Sequence, residues 1–326
     1  MPASNFSAPD TVFFEVTRAC NLRCVHCLNN SGYKLKDELP YLKRLQIIQD
    51  LADSGVQEIR FTGGEPMTSP RIHELLNAAH ERGMRISMGT NAMLISRDEA
   101  AILAQQGVRF AVVSLDGTPV IHDRIRGAET FRKTMKGTEN LRAAGIAVRI
   151  NAVVMRSNLS DLPQLVDMIY RLEIPIFLRR LIPSGRADHQ EMLNAQEYAQ
   201  LRKFLADYLS DPRGLVQGHY LAQRDHTPRI SLPFQRRDCS AGQRGMVILP
   251  NGKVQTCGFL GPMGETYVGT VPAEHFADVW QRLCNSDHIP CLQSLLPEFN
   301  RTTNGPKTNC LAMALFQKTA KQGGRT

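Results

Sequence analysis

The sequence lacks an apolar run long enough to cross a membrane, since such a span needs about 20 consecutive, predominantly apolar residues. The first eleven residues contain neither the basic segment nor the apolar stretch of a secretory signal. Together these absences argue against the membrane-spanning and secreted classes. We therefore expect a cytoplasmic protein with no membrane partner.

Aromatic residues and clustered basic residues are also scarce. Phe, Trp and Tyr make up 6% of the 326 residues, and basic runs such as Arg179-Arg180 and Arg236-Arg237 are only pairs. Proteins that bind single-stranded nucleic acid usually combine a basic groove with aromatic stacking platforms. The formal net charge of +8 suits an anionic partner, but its scattered distribution makes nucleic acid an unfavoured one.

Cysteine, by contrast, is present eight times. In a protein without a secretion signal thiols stay reduced, so clustered cysteines indicate metal binding or redox chemistry rather than disulfides. Cys20, Cys24 and Cys27 follow one another with the spacing C-x3-C-x2-C. Three thiolates can hold a metal centre and leave one coordination position open, as a catalytic centre requires. The alternative is a structural zinc site completed by His26 or by a distant cysteine.

Short apolar runs alternate with helix-like segments between residues 12 and 187. Strands are expected at residues 12–16, 57–62, 85–88, 110–115, 148–155 and 174–178, and helices at 41–54, 72–82, 97–106, 131–144 and 162–172. This alternation predicts a parallel sheet with right-handed crossovers and helices on its outer face. The predicted fold class is therefore α/β, a partial (βα)6 barrel whose chemistry lies at the C-terminal strand ends.

A second motif, Gly63-Gly64-Glu65-Pro66, follows the second predicted strand. Paired glycines allow unusual backbone dihedrals and a close approach to a ligand. A plain strand-to-helix turn would explain the motif if it stood alone, but its position one unit after the cysteines favours a binding site. We expect its backbone to receive a small zwitterion and Glu65 to bind the ammonium group.

The cysteine triplet and the glycine turn together resemble the signature motifs of the radical S-adenosylmethionine (radical SAM) enzymes. The resemblance covers about residues 12–187. It implies that Cys20, Cys24 and Cys27 bind three irons of a [4Fe-4S] cluster and that S-adenosylmethionine chelates the fourth iron. An electron from a donor of the flavodoxin or ferredoxin type would then cleave the cofactor and yield a 5′-deoxyadenosyl radical, which abstracts hydrogen from an unreactive carbon.

The same resemblance implies further cofactor contacts. His26 stands where the family usually has an aromatic residue, so its ring is expected to pack over the adenine. Ser114 and Asn151 resemble the polar residues that contact the ribose and carboxylate of the cofactor. Asn91 is expected at the same rim, with a simple turn residue as the alternative.

A stretch after the fourth predicted strand matches the branch of the family that modifies peptides and natural products. It comprises Asp116 and the residues 122–127. Within it, Asp123 and Arg126 either brace a loop or touch the substrate.

The chain changes character after the repeating units, and we expect three parts. Residues 1–190 would form the radical SAM core, residues 191–237 a helix and a linker or lid, and residues 238–326 a small cysteine-rich α+β extension. In that extension Asn251-Gly252 lies between two short apolar segments, which predicts a β-hairpin.

This hairpin is expected to bring Cys239 and Cys257 together. The pattern resembles the SPASM or Twitch extension, which holds auxiliary [4Fe-4S] clusters, but the closing C-x2-C pair is missing. We therefore expect one auxiliary [4Fe-4S] cluster, with structural zinc as the alternative. Its predicted ligands are Cys239, Cys257, Cys291 and Cys310.

Cys284 is the spare thiol in this assignment, although Cys310 could exchange roles with it. A lone cysteine in a helix is commonly a small buried apolar residue. The alternative makes Cys284 a hydrogen-atom donor that quenches a substrate radical and so causes epimerisation.

These patterns favour a radical SAM oxidoreductase that matures a peptide or another natural product by oxidation, cross-linking or epimerisation. The expected partner is a peptide or small-molecule substrate. Two alternatives remain, namely a radical SAM enzyme of RNA or cofactor biosynthesis and a non-enzymatic scaffold that binds zinc or an iron–sulfur cluster.

Overall fold

The computed structural model describes residues 8–218, 245–260 and 267–285, and ten strands of these segments form one sheet. The strands are β1 (Thr11–Thr17), β2 (Glu58–Gly63), β3 (Arg85–Thr90), β4 (Val108–Ser114), β5 (Ala147–Val154), β6 (Ile176–Arg180), β7 (Val216–Gly218), β8 (Gly245–Ile248), β9 (Lys253–Gln255) and β10 (Tyr267–Thr270). Their order in the sheet is β10-β9-β8-β1-β2-β3-β4-β5-β6-β7. All neighbours from β8 to β7 pair in parallel, and β8-β9-β10 is antiparallel.

Helices occupy the crossovers between the parallel strands, as the right-handed βαβ rule requires. They are α1 (Tyr41–Asp53), α2 (Ile72–Glu81), α3 (Arg97–Gln105), α4 (Pro119–Arg126), α5 (Thr130–Ala143), α6 (Leu162–Arg171), α7 (Ala195–Phe204) and α8 (Ala206–Ser210), while α9 (Phe276–Cys284) follows β10. Six parallel strands, β1 to β6, follow one another in chain order with helices between them, which confirms the predicted α/β partial barrel.

The two faces of each strand carry different residues because successive side chains point to opposite sides of a sheet. On β5 the side chains of Val148, Ile150 and Ala152 belong to the main hydrophobic core, which also includes the buried faces of the helices. Arg149 and Asn151 alternate with them and therefore point to the inner face. The barrel is apolar on its outer, helix-covered face and carries polar groups on its inner face.

The secondary structure differs from the prediction in four places, one of which is β10, a strand that was not predicted. Helix α4 forms where no helix was predicted; it begins at Pro119 and ends before Gly127, whose φ of 122° few other residues adopt. The helix expected within residues 191–237 is interrupted at Leu205, which separates α7 from α8. The three-residue strand β7 lies in the expected linker, and a strand so short leaves no detectable alternation in the sequence.

The predicted hairpin is confirmed, and it continues the main sheet. β8 and β9 are antiparallel across the Asn251-Gly252 turn, and β8 pairs in parallel with β1, with Phe14 opposite Ile248. The turn is thereby joined directly to the strand that leads into the cysteines. Of the helices described, none has both the length and the apolar character needed to cross a membrane.

Gly137 offers a test of how α5 packs on the loop after β3. A Cβ atom at this position would lie 1.9 Å from the carbonyl oxygen of Ala92. Alanine is intrinsically better than glycine inside a helix by about 1 kcal/mol. We nevertheless expect Gly137→Ala to lower the free energy of unfolding by about 1–3 kcal/mol, the usual cost of overpacking, as measured by denaturant unfolding.

The matched control is Lys136→Ala, one residue earlier on the same helix. The Lys136 side chain is exposed and makes only a surface ion pair with Glu139. Its removal should change the free energy of unfolding by no more than about 0.5 kcal/mol. A Gly137→Ala protein as stable as the wild type would contradict the packing argument.

Candidate active site

The loop that carries the three cysteines, residues 18–32, starts where β1 ends and closes on itself. Ala19 forms a parallel bridge with Gly32. The amide of Cys20 donates to the carbonyl of Gly32 at 3.1 Å, and the amide of Gly32 donates to the carbonyl of Arg18 at 3.0 Å. We call this segment the cysteine loop; its closed ends restrict the positions of the three thiols.

Each of the three sulfur atoms accepts at least one N–H donor, and Cys20 Sγ accepts a second, from Asn91 Nδ2 at 4.0 Å. The pairs are Leu22 N to Cys20 Sγ at 3.4 Å, Ser31 N to Cys27 Sγ at 3.3 Å and Arg126 Nη1 to Cys24 Sγ at 3.7 Å. N–H donors of this kind stabilise thiolates and tune the metal centres that thiolates hold. The donor set therefore fits a thiolate-bound iron–sulfur cluster.

Burial raises the pKa of Cys20 to about 11, against a smaller lowering by the amide of Leu22, and burial also raises the pKa of Cys24. These thiols hold their protons at neutral pH unless a metal displaces them. Across the residues described, no three His, Cys, Asp or Glu side chains surround the position of a single metal ion.

The two glycines of the second motif are required by the cysteine loop itself. Gly63 has a φ of 136°, and a Cβ there would lie 2.3 Å from the carbonyl oxygen of Thr17. A Cβ on Gly64 would lie 2.1 Å from the carbonyl oxygen of Ala19. The amide of Gly64 also donates to Thr17 at 2.7 Å. The sequence predicted that the backbone of Gly63 and Gly64 approaches a ligand closely. In the structure this backbone approaches the backbone at the start of the cysteine loop.

Glu65, predicted to bind an ammonium group, is 1% exposed and is used within the protein. Its carboxylate accepts from Thr90 Oγ1 at 2.8 Å, from Asn91 N at 2.7 Å and from Met67 N at 3.3 Å. Burial outweighs these bonds and raises the pKa of Glu65 to about 7. The side chain joins the turn after β2 to the loop after β3, while Pro66 begins a short 3-10 helix.

His26 contacts a carboxylate. Its Nε2 lies 3.0 Å from Asp116 Oδ2, and Arg126 Nε donates to the same oxygen at 2.6 Å. The other oxygen of Asp116 accepts from the amide of Val153 at 2.8 Å. Burial alone would raise the pKa of Asp116, but Arg126 and His26 outweigh it and hold that pKa below its ordinary range. Arg126 is thereby fixed beside Cys24, a role that the sequence did not reveal.

Asp123 braces a loop, one of its two predicted roles. Its carboxylate accepts from the amides of Glu129 and Phe131 at 2.8 and 2.7 Å and from Thr130 Oγ1 at 3.0 Å. Glu129 immediately precedes α5, and Thr130 and Phe131 are its first two residues. Asp123 therefore caps the N-terminus of α5.

Arg186, in the loop after β6, is a second residue that sequence reasoning missed. Its Nε donates to the carbonyl of Cys24 at 2.9 Å, and its Nη1 donates to Asn30 Oδ1 at 2.7 Å and to Ser31 O at 2.8 Å. The backbone amide of Arg186 donates to Cys27 O at 3.0 Å. The sequence around Arg186 contains no motif that would predict its contacts with the cysteine loop.

The three remaining predicted cofactor residues lie on the same edge of the sheet. Asn91 Nδ2 donates to Asn21 Oδ1 at 2.8 Å and so reaches the cysteine loop. Ser114 and Asn151 are register partners on β4 and β5. The side-chain oxygen of Asn151 is buried without a hydrogen-bond partner among the described residues, so an acceptor is open there.

The C-terminal cysteines are only partly described. Cys257 follows β9, and its sulfur accepts from the amide of Phe259 at 3.4 Å. Cys284 ends α9 and packs, partly buried, against the main hydrophobic core. The other three predicted positions, Cys239, Cys291 and Cys310, lie outside the described residues. The ligand set of an auxiliary cluster stays a prediction.

Comparison with known proteins identifies the family of this chain. Residues 14–169 match the Radical SAM superfamily model. The chain is 30% identical over 300 residues to an AdoMet-dependent heme synthase of Nitratidesulfovibrio vulgaris, covering 85% of this chain and 79% of the relative. It is 37% identical over 262 residues to the mycofactocin maturase MftC of Mycobacterium ulcerans, covering 77% and 69%.

Solved structures share the fold. Streptococcus suis SuiB bound to S-adenosylmethionine superposes with a TM-score of 0.68 at 22% identity, over 84% of this chain and 66% of SuiB. The chain thus spans just under two thirds of SuiB. Native anSMEcpe with bound AdoMet gives a TM-score of 0.66 at 17% identity, over 83% of this chain and 80% of anSMEcpe. From the family match and these relatives, the chain belongs to the radical SAM superfamily, whose enzymes use S-adenosylmethionine and a [4Fe-4S] cluster.

Proposed function

We propose that the protein is a radical SAM maturase that abstracts hydrogen from an unreactive C–H bond of a peptide or another natural product. The observation that carries this proposal is the set of three thiols, each with an N–H donor, in a loop whose backbone is joined to Gly63-Gly64. A relative named as a maturase supports the peptide as substrate class.

Cys20, Cys24 and Cys27 would hold the [4Fe-4S] cluster. With S-adenosylmethionine bound, the cluster supplies a 5′-deoxyadenosyl radical when a flavodoxin- or ferredoxin-type donor reduces it. The protein's own residues bind and orient the cofactor. Arg126, fixed by Asp116 and facing Cys24, offers a positive charge for the cofactor's carboxylate.

Asn151 offers its buried amide oxygen to an N–H or O–H group of the cofactor, because that acceptor has no partner in the described protein. Ser114, its register partner, adds a hydroxyl at the same level. Asn91 and the turn Gly63–Pro66 complete the cofactor side of the rim. His26 Nδ1 is likewise buried without a described partner, so the ring retains one polar atom for the cofactor.

An auxiliary [4Fe-4S] cluster with Cys257 as one ligand is a further part of the proposal. Such a cluster would supply an electron acceptor for net oxidation or cross-linking of the substrate. Cys284 packs against the helix-side core, which favours the role of a small apolar residue over that of a hydrogen-atom donor. Oxidation or cross-linking is therefore the reaction that we favour over epimerisation.

Cofactor biosynthesis is the second candidate function. It is supported by the 30% identity to a heme synthase over most of both chains. A gene for a small precursor peptide beside this one would favour the maturase, whereas neighbouring porphyrin-pathway genes would favour the second candidate.

Replacing Cys24 tests the assignment of the reaction class. Cys24→Ala removes one of three cluster ligands, so 5′-deoxyadenosine formation under anaerobic reduction should fall to the background level. The product is quantified by liquid chromatography with mass spectrometry. Cys284→Ser serves as the matched control and should retain the activity. Undiminished turnover in Cys24→Ala would refute the proposed cluster site.

Replacing Asn151 tests the cofactor-binding site separately from the cluster. Asn151→Ala should weaken S-adenosylmethionine binding roughly fivefold, since a well-placed hydrogen bond contributes on the order of 1 kcal/mol, while the iron content stays unchanged. Titration calorimetry of the iron-reconstituted protein measures the dissociation constant. Asn151→Asp keeps an oxygen acceptor and should bind better than the alanine variant. Equal binding by Asn151→Ala and the wild type would remove this residue from the site.

Iron analysis tests the auxiliary cluster. Two [4Fe-4S] clusters give about eight irons per chain, and Cys257→Ala should retain about four. Cys284→Ser should retain about eight, because Cys284 is not a ligand in this assignment. A wild-type protein with about four irons would contradict the auxiliary cluster without affecting the first one.

A further inference from the structure

Arginine and phenylalanine side chains alternate across the inner face of the barrel. Arg60 Cζ lies 5.1 Å from the ring centroid of Phe13 and 5.9 Å from that of Phe110. Arg149 Cζ lies 5.6 Å from the centroids of both Phe110 and Phe177. Arg179 Cζ lies 5.7 Å from the centroid of Phe177 and 5.5 Å from that of Phe259. We call these three arginines and four rings the arginine ladder. It crosses the lumen from β1 to the end of β9.

Among the described residues, the three arginines of the arginine ladder form few ion pairs with carboxylate side chains. Arg60 pairs with Glu58 at 3.3 Å and donates to Ser87 Oγ at 2.9 Å. Arg149 is only 5% exposed, yet its side chain makes no ion pair or hydrogen bond within the described part of the chain. The Arg179 side chain likewise has no carboxylate partner among the described residues, although the sulfur of Cys257 lies near enough to act on its charge, and the Nε atoms of both arginines are buried without a hydrogen-bond partner. Among the described residues, neither Arg149 nor Arg179 is therefore paired with a carboxylate.

A buried cation without a counter-charge is costly, because its lost hydration is not replaced. Burial, with repulsion from Arg179 and Arg60, lowers the pKa of Arg149 to about 9. The aromatic faces offset part of the cost but bring no negative charge. Strongly perturbed ionisable groups cluster at functional sites.

The unpaired cations lie beside the proposed cofactor site. Arg149 and Asn151 are two residues apart on the inner face of β5, so their Cα atoms are about 6.6 Å apart. Phe177, which both Arg149 and Arg179 contact, is the register partner of Asn151 on β6. A group bound between the two guanidinium groups would therefore lie within the barrel, next to the cofactor.

We propose that Arg149 and Arg179 form a subsite for a carboxylate group of the substrate. Guanidinium groups bind carboxylates through paired N–H donors. The rings of Phe110 and Phe177 suit the carbon skeleton that carries the carboxylate. An inorganic phosphate dianion, which is strongly hydrated, loses more on entering a lumen lined by aromatic rings. A peptide C-terminus and a small carboxylic acid offer the same chemistry.

The assignment of the bound carboxylate to the substrate rests on the proposed function. Binding of a carboxylate by the two arginines is independent of that function. The first test uses stability. In iron-reconstituted protein without substrate, Arg149→Met should raise the melting temperature by roughly 2–5 °C, because an uncompensated buried charge is removed. A structural brace would give the opposite sign, so a lowered melting temperature would overturn the proposal.

The matched control for stability is Arg156→Met. Arg156 is about half exposed and already pairs with Glu197 at 3.0 Å. Its removal should leave the melting temperature within about 1 °C of the wild type, because surface ion pairs contribute little.

The second test measures binding directly by calorimetry at constant ionic strength, with S-adenosylmethionine present. The probes are an N-acetylated alanine tripeptide with a free C-terminus, its C-terminal amide, glutarate and inorganic phosphate. The wild type should bind the tripeptide acid or glutarate, and whichever binds tighter identifies the source of the carboxylate. Arg149→Met and Arg179→Met should each weaken that binding about ten- to a hundredfold.

Three results would overturn the subsite. They are equal binding of the tripeptide acid and its amide, tighter binding of phosphate than of both carboxylates, and unchanged binding in the two arginine variants. Formation of 5′-deoxyadenosine is measured in the wild-type samples alongside. Carboxylate binding without deoxyadenosine would refute the proposed function and retain the subsite, whereas deoxyadenosine without carboxylate binding would do the reverse.

Discussion

Two backbone carbonyl groups at the start of the cysteine loop constrain the whole candidate site. A Cβ atom at position 63 would lie 2.3 Å from the oxygen of Thr17, and a Cβ atom at position 64 would lie 2.1 Å from the oxygen of Ala19. Both distances are too short for any residue other than glycine. The turn after β2 can therefore press against the cysteine loop only with Gly63 and Gly64. From that turn, Glu65 holds the amide of Asn91 in the loop after β3. Three strand ends are joined in this way without any metal.

Charge is buried in this protein in two different ways. Asp116 is fully buried, but Arg126, His26 and the amide of Val153 all face its oxygens, so the charge is compensated within the fold. Arg149 is almost as deeply buried and has no such partners in the described lumen. The first arrangement holds residues in place beside the cluster loop. The second arrangement, at Arg149, leaves a guanidinium group that can bind a negatively charged ligand.

The sequence predicted what depends on local pattern. Periodic apolar residues identified β1 to β6 and the intervening helices except α4, because two-residue and 3.6-residue periods are visible in short windows. The cysteine spacing and the Gly63-Gly64 pair likewise identified the rim, because both motifs are contiguous. Asn91 was placed at the rim because it follows the third predicted strand, whereas Ser114 and Asn151 were assigned from the family resemblance.

Contacts between distant segments were not predictable in the same way. Arg186 holds the cysteine loop from more than 150 residues away, and nothing in its neighbourhood marks it. His26 was assigned from its position beside Cys27, yet its described partner is Asp116, which lies beyond β4. The arginine ladder was also invisible, since its members are single residues on separate strands that meet only when the sheet curves.

The alternation of side chains along β5 links the stability of the barrel to its chemistry. Val148 and Ile150 fix the register because they must face the helices, and a slip of one residue would turn them into the lumen. The same register turns Arg149 and Asn151 inward, whatever the cost of burying a cation there. The apolar face thus stabilises a strand whose other face is unfavourable on its own. A charged lumen can persist in this fold because the outer core, and not the inner face, holds the strands in place.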